Sequence, residues 1–321
     1  MNSIGTETTF DAPIIVNPDD ATVFAPDLAR TYDPHREPWT LPAGKKLVVS
    51  LLLHAPAYLD DVPAGLLKPA AMQGGVGRET SEPRHGQVAR LSQWDFGLTA
   101  GIWRLLDIAQ AAGVPTAVAL DSQGVRTMPG LAELVAQQAD EIVVRGRAAN
   151  VILGTGPDEE AERAYIAEAT AAVQDATGRT ATGWFGPERS QSARTTRLLR
   201  EAGYGWFGEW PVDERPVELT GASAGLVAVP HPLETEDMFS LYTRGLPFAA
   251  YERLLDATVD TLIEDAAVVG GRHLGLSWFG WVLGQACFAD VAESFLHRLA
   301  ARPEVLLATP GTVADRVRSW T

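Results

Sequence analysis

Two hydrophobic patterns alternate along this chain. Short unbroken runs of Val, Leu, Ile and Ala are followed by longer stretches in which apolar residues return every three or four positions. The run from Lys45 to Leu53, K-K-L-V-V-S-L-L-L, predicts a strand buried on both faces. Similar runs predict strands over 115–120, 142–144, 181–185, 204–207, 226–230, 273–278 and 305–309. Helical spacing places Ile102, Leu105, Leu106 and Ala109 on one face, with Gly113 as a stop. It also predicts helices over 131–139, 157–177, 192–202, 248–267 and 289–301, and a closing helix. The acids Asp158, Glu159 and Glu160 suit the positive end of the 157–177 helix.

Strands alternating with helices at this spacing imply right-handed βαβ units and a parallel sheet. With no internal linker, the best fit is an α/β fold of one domain, a closed or distorted (β/α) barrel; an open doubly wound sheet is the alternative. Residues 1–40 lack a period and read as an N-terminal arm. The barrel then spans 41–321, interrupted by a polar, glycine-containing loop at about 61–93. A loop of that length in a compact domain is expected to act as a lid.

Composition narrows the function classes. The 321 residues carry 26 Lys+Arg against 41 Asp+Glu, a net charge of −15. An acidic surface repels phosphate backbones, so no nucleic acid is expected as a partner. No apolar window reaches the length of a membrane span, and no secretory leader is visible. The single cysteine, Cys287, reads as a buried structural thiol and excludes an internal disulfide. These features predict a cytoplasmic protein.

In a barrel, chemistry sits at the carboxyl ends of the strands. Those ends collect His54, Asp121, Arg145, Arg147, Trp184, Glu188, Arg189, Glu209, Trp210, His231, Glu234, Ser277 and Trp278. An aromatic wall with a few polar groups is the usual make-up of a small-molecule pocket. The most unusual of these is Arg145, a guanidinium directly after the apolar strand Ile142-Val143-Val144. No H-x-x-x-H pair exists, and a metal site built from His54, His231 and Asp121 is not demanded by the spacing.

Four tracts resemble a known superfamily in order and spacing. They are Ile102-Trp103-Arg104-Leu105-Leu106, Gly183-Trp184-Phe185 with Arg189, Val229 to Met238, and Leu274-Gly275-Leu276-Ser277. Together they resemble the polysaccharide deacetylases, and within them the allantoinase-like branch that hydrolyses cyclic ureides and imides. The resemblance implies a distorted (β/α) barrel and hydrolysis of a C–N bond. It also implies an Asp-His-His metal site with an acidic base. At the matching positions this chain has His54-Ala55-Pro56-Ala57 where the family carries acidic residues. It has Arg145-Gly146 where the family carries His-Gly, and Leu276-Ser277 where it carries Leu-His; Arg189 looks retained. The resulting expectation is a metal-independent hydrolase of a small cyclic ureide, imide or N-acylated compound. Its catalytic residues would be His54, Arg145 and Glu188. Arg147, Trp184, Arg189, Trp210, His231, Glu234, Ser277 and Trp278 would bind substrate. No cofactor is expected, with a divalent metal such as zinc as the alternative. The second reading is an inactive binding or regulatory subunit, in a homo-oligomer or a hetero-oligomer with an active paralogue.

Overall fold

The computed structural model describes residues 14–15, 25, 27–30, 33, 36–59, 88–128, 130–154, 156–318 and 320. Within the predicted arm, β1 (Ile14–Ile15) pairs antiparallel with β2 (Ala29–Arg30). The predicted lid lies outside the described residues up to position 87; from there on it is helical, as α1 (Val88–Phe96).

The barrel begins with β3 (Leu47–Ala55), buried along its whole length as its unbroken apolar run predicts. After α1, a π turn over Gly97–Gly101 leads into α2 (Ile102–Ala111). Next come β4 (Thr116–Leu120), the short α3 (Ser122–Thr127), α4 (Leu131–Gln138) and β5 (Glu141–Val144). The long helix α5 (Glu159–Thr177) starts where Asp158 accepts a hydrogen bond from the Ala161 amide and ends at Gly178. Then follow β6 (Gly183–Trp184), α6 (Thr195–Glu201), β7 (Trp206–Phe207), β8 (Val217–Glu218) and β9 (Val227–Ala228). The chain closes with α7 (Phe248–Val269), β10 (Arg272–Phe279), α8 (Ala289–Ala300), β11 (Val305–Leu307) and α9 (Pro310–Asp315).

The strands form one sheet in the order β10-β3-β4-β5-β6-β7-β9-β8, with β11 also on β3. All neighbours run parallel except β8, which returns antiparallel to β9. The sheet curls until its ends approach, without pairing as strands among the described residues. Two contacts bridge the seam. The His273 amide donates to the Glu214 carbonyl at 2.7 Å. Gly275 lies so near the turn after β9 that a Cβ there would stand 2.5 Å from the Pro230 carbonyl oxygen. The fold is thus a distorted barrel closed on one side by loop backbone.

Strand alternation sorts the side chains. On β3, Leu47, Val49, Leu51 and Leu53 face outward into the large core beneath the helices, while Val48 and Leu52 belong to a smaller core inside the curl. His54 shares the inward parity. On β10, Leu274, Leu276 and Trp278 join the outer core, leaving His273, Ser277 and Phe279 inside.

Backbone also meets backbone where the π turn crosses the loop after β10. A Cβ on Gly101 would stand 1.9 Å from the Gly280 carbonyl oxygen, and one on Gly280 would stand 2.7 Å from the Gly97 oxygen. Gly101→Ala is therefore expected to cost ~1–3 kcal/mol, the usual range for overpacking. It should lower the urea midpoint at constant slope, and an unchanged midpoint would show that the crossing can open. Cys287 is exposed rather than buried, because the loop preceding α8 turns it outward. No helix among the described residues is long and apolar enough to cross a membrane.

Candidate active site

The carboxyl ends of β5, β6 and β10, with the segment after β9, surround a cavity of about 210 Å³. Among the described residues its apolar lining is Phe185, Leu233, Met238, Phe239 and Phe279. Its polar lining is Arg145, Glu188, Arg189, Glu236 and Thr243. The site is small beside the roughly 300–1,000 Å³ of drug-sized pockets.

Arg145 follows the last residue of β5, and alternation turns its side chain inward, where it is 2% exposed. Its Nη1 donates to His54 Nδ1 over a long 3.4 Å. Its guanidinium carbon lies 5.2 Å from the centre of the Phe279 ring. The Nε has no hydrogen-bond partner, and Arg145 forms no ion pair among the described residues. A buried cation is normally paired, because taking it from water costs several kcal/mol. Here the cation is held by neutral groups and faces a cavity.

His54 is the support for that arrangement. A guanidinium can only donate, so His54 Nδ1 must accept, and the ring proton sits on Nε2. Nε2 then donates to Ser277 Oγ at 2.7 Å. The ring also stacks on Phe279, with centroids 4.4 Å apart. Burial, followed by the Arg145 charge, holds the His54 pKa well below the usual histidine range. The imidazole stays neutral with both nitrogens engaged, which leaves no free lone pair for the general-base role a catalytic histidine at this strand end would fill.

Glu188 and Arg189 stand on strained backbone. They end the 3-10 turn Pro187–Arg189, and both adopt the left-handed region, with φ of 52° and 53°. For residues with a Cβ, that conformation costs about 1–2 kcal/mol each. Arg189 is tied down on three sides. Its Nη1 donates to the His231 carbonyl at 2.8 Å, its Nη2 pairs with Glu236 at 2.8 Å, and its guanidinium covers the Phe185 ring. Those bonds fix the turn and aim Glu188 into the cavity, where it has no hydrogen-bond partner among the described residues. Burial raises the Glu188 pKa, and the Arg145 charge pulls part of that rise back.

The remaining sequence-predicted residues separate into two groups. Ser277 touches the site through His54. His231 lies beneath it, with Nδ1 bonded to the Val229 carbonyl at 2.9 Å, and burial with the Arg189 charge pushes its pKa down to about 3. The others are elsewhere. Trp184 and Trp278 carry the opposite parity and point into the outer core, where Trp184 meets Tyr165 and Tyr204, and Trp278 donates to the Tyr251 hydroxyl. Trp210 packs edge-on against Phe207, another outward ring. Arg147 lies beyond the Gly146 turn and pairs at the surface with Glu168 at 2.5 Å. Glu234 is exposed and pairs loosely with Arg244 at 3.9 Å. The cavity wall is therefore phenylalanine rather than tryptophan. Phe185 and Phe279 each sit one residue beyond a tryptophan that the sequence put in the wall. Leu233, Glu236 and Met238 lie inside the Val229–Met238 tract, which was the available signal for them.

The donors present do not fit the Asp-His-His metal site implied by the resemblance. Among the described residues, no three His, Cys, Asp or Glu side chains stand together as ligands. The Asp121 oxygens accept from the Gly124 and Ala57 amides, both at 2.7 Å, capping α3 and anchoring the turn after β3. Burial raises the Asp121 pKa to about 7.

No family model matches the chain, and neither does any curated protein. Solved structures do. A protein from Mycobacterium smegmatis assigned as a polysaccharide deacetylase superposes with a TM-score of 0.73 at 21% identity, covering 88% of this chain and 94% of that one. A counterpart from Pseudomonas aeruginosa PAO1, assigned likewise, gives 0.73 at 21% identity over 86% and 92%. Puue allantoinase gives 0.73 at 18% identity over 89% and 93%. At these identities the likeness is one of fold. The chain adopts the distorted (β/α) barrel that superposes on these two proteins assigned as polysaccharide deacetylases and on Puue allantoinase.

Proposed function

We propose that this chain hydrolyses a C–N bond of a small cyclic ureide, cyclic imide or N-acylated compound without using a metal. The observation that carries the reading is the buried Arg145 guanidinium, unpaired and aimed into a small cavity that also holds Glu188. Arg145 would polarise the substrate carbonyl and hold the oxyanion as it forms, the task of a preorganised donor in a water-poor site. Glu188 would take a proton from water as hydroxide adds to the carbonyl carbon. The same carboxyl would return that proton to the leaving nitrogen as the C–N bond breaks. The phenylalanine walls suit a flat ring and exclude bulk water. His54 and Ser277 hold Arg145, and Arg189 holds the Glu188 turn. The matches to proteins named as deacetylases and an allantoinase support the class of bond, not the substrate.

A second reading is favoured by His54. With both ring nitrogens engaged, the site keeps its pocket but has no imidazole base. On that reading the chain is a binding subunit, in a homo-oligomer or with an active paralogue. A turnover screen separates the two, run on cyclic ureides, cyclic imides and N-acetyl sugars with and without EDTA. Ring opening of at least one cyclic compound, unchanged by EDTA, is the expected result. Activity abolished by EDTA sinks the metal-free mechanism, and binding without turnover leaves the second reading.

A further inference from the structure

We infer that the cavity is a binding site for small monocarboxylates with a flat, apolar body, the carboxylate seated on Arg145. The inference shares Arg145 with the hydrolytic reading but does not depend on turnover.

Charge fixes the first half of the class. Among the described residues the cavity holds two cations. Arg189 is already neutralised by Glu236 and saturated by the His231 carbonyl. Arg145 is not, because its neighbour His54 is a neutral acceptor at 3.4 Å and its Nε has no hydrogen-bond partner among the described residues. One uncompensated positive charge calls for one negative charge. A second negative charge on the ligand would lie beside the Glu188 carboxyl with no second unpaired cation to meet it. A dianion such as phosphate is therefore disfavoured. A guanidinium presents its N–H groups as a planar fork that matches the two oxygens of a carboxylate.

The walls fix the second half. Phe185, Phe239 and Phe279 present flat apolar faces to a ring, and the small volume limits the ligand to about one ring. The ligand class also has a chemical link to the proposed reaction. Opening a cyclic imide or ureide at the carbonyl leaves a carboxylate where the carbonyl was, so the ring-opened acid would occupy the position of the oxyanion.

The test is isothermal titration of the full chain with benzoate, with isosteric neutral benzamide and with inorganic phosphate. Benzoate is expected to bind one site and to raise Tm, with benzamide at least about tenfold weaker for want of a charge-assisted pair. Arg145→Met and Arg145→Gln should both lose benzoate binding while keeping wild-type circular dichroism. Arg147→Met, at the surface pair, should bind as the wild type does. The inference is overturned if benzamide or phosphate binds as tightly as benzoate. It is equally overturned if benzoate fails to bind, or if its binding survives in either Arg145 variant that folds. Since none of these readings uses catalysis, a failure here is separate from a failure to find turnover.

Discussion

Arg145→Met is expected to stabilise the fold and to cut turnover by orders of magnitude in the same molecule. The arginine is 2% exposed and carries a charge that no carboxylate among the described residues pairs with directly. Replacing a buried charged group with an apolar one of similar reach is often stabilising, by ~1–4 kcal/mol. Part of that gain is lost, because His54 Nδ1 loses its donor, which costs about 1 kcal/mol. Thermal denaturation should show a rise of a few degrees. Loss of an oxyanion donor in a dry site lowers kcat by about 10²–10³-fold. The pairing of the two signs is the informative part. A protein that retains an unpaired buried cation at the expense of its own stability keeps it for a ligand. A lower Tm in the variant would instead assign Arg145 to the scaffold.

Glu188→Gln is expected to lower kcat by about 10²–10⁴-fold, the range for a lost general base. It should also remove the acid limb of the pH–rate profile. Burial raises the Glu188 pKa, so the ionised form that accepts a proton is populated only above the ordinary carboxylate range. Activity of the wild type should therefore rise with pH through that raised value, and the variant should be flat there. The stability linkage has the opposite direction. A raised folded pKa contributes stability that is complete below the unfolded value and is lost as pH rises through the folded one. Wild type should thus weaken relative to the Gln variant as pH rises through that window. Glu188→Gly separates strain from chemistry. Glycine adopts φ of 52° without penalty, so this variant should gain up to ~1 kcal/mol of stability and still be inactive. An active Glu188→Gly would move the base elsewhere.

The sequence carried the fold almost completely, because unbroken apolar runs such as 47–55 and periodic stretches such as 102–111 each admit one element type. It missed α3, the antiparallel β8 and the π turns. These are short, and tertiary hydrogen bonds rather than a period define them. The site was legible along the chain but not around it. Arg145, Glu188 and Arg189 were found as residues at strand ends. Trp184 and Trp278 were chosen by proximity and size, yet a strand sends neighbours to opposite faces. Counting in twos from Ser277, a residue read as facing the pocket, selects Phe279 and rejects Trp278. The partners that occupy both ring nitrogens of His54 are Ser277, which accepts from Nε2, and Arg145, which donates to Nδ1; both lie far from it in sequence, and no local pattern could announce them.

The glycines at the crossing of the π turn and the β10 loop have a use beyond stability. They form two pairs, Gly97 with Gly101 and Gly280 with Gly284, each spaced by four residues. A barrel that keeps this crossing has room for almost nothing larger at those points, whatever the rest of its sequence does. Paired glycines at that spacing, one set before the W-R-L-L helix and one after the last long strand, are therefore a search signature for chains of this architecture. They would be readable where overall identity has drifted to the level seen with the solved structures above.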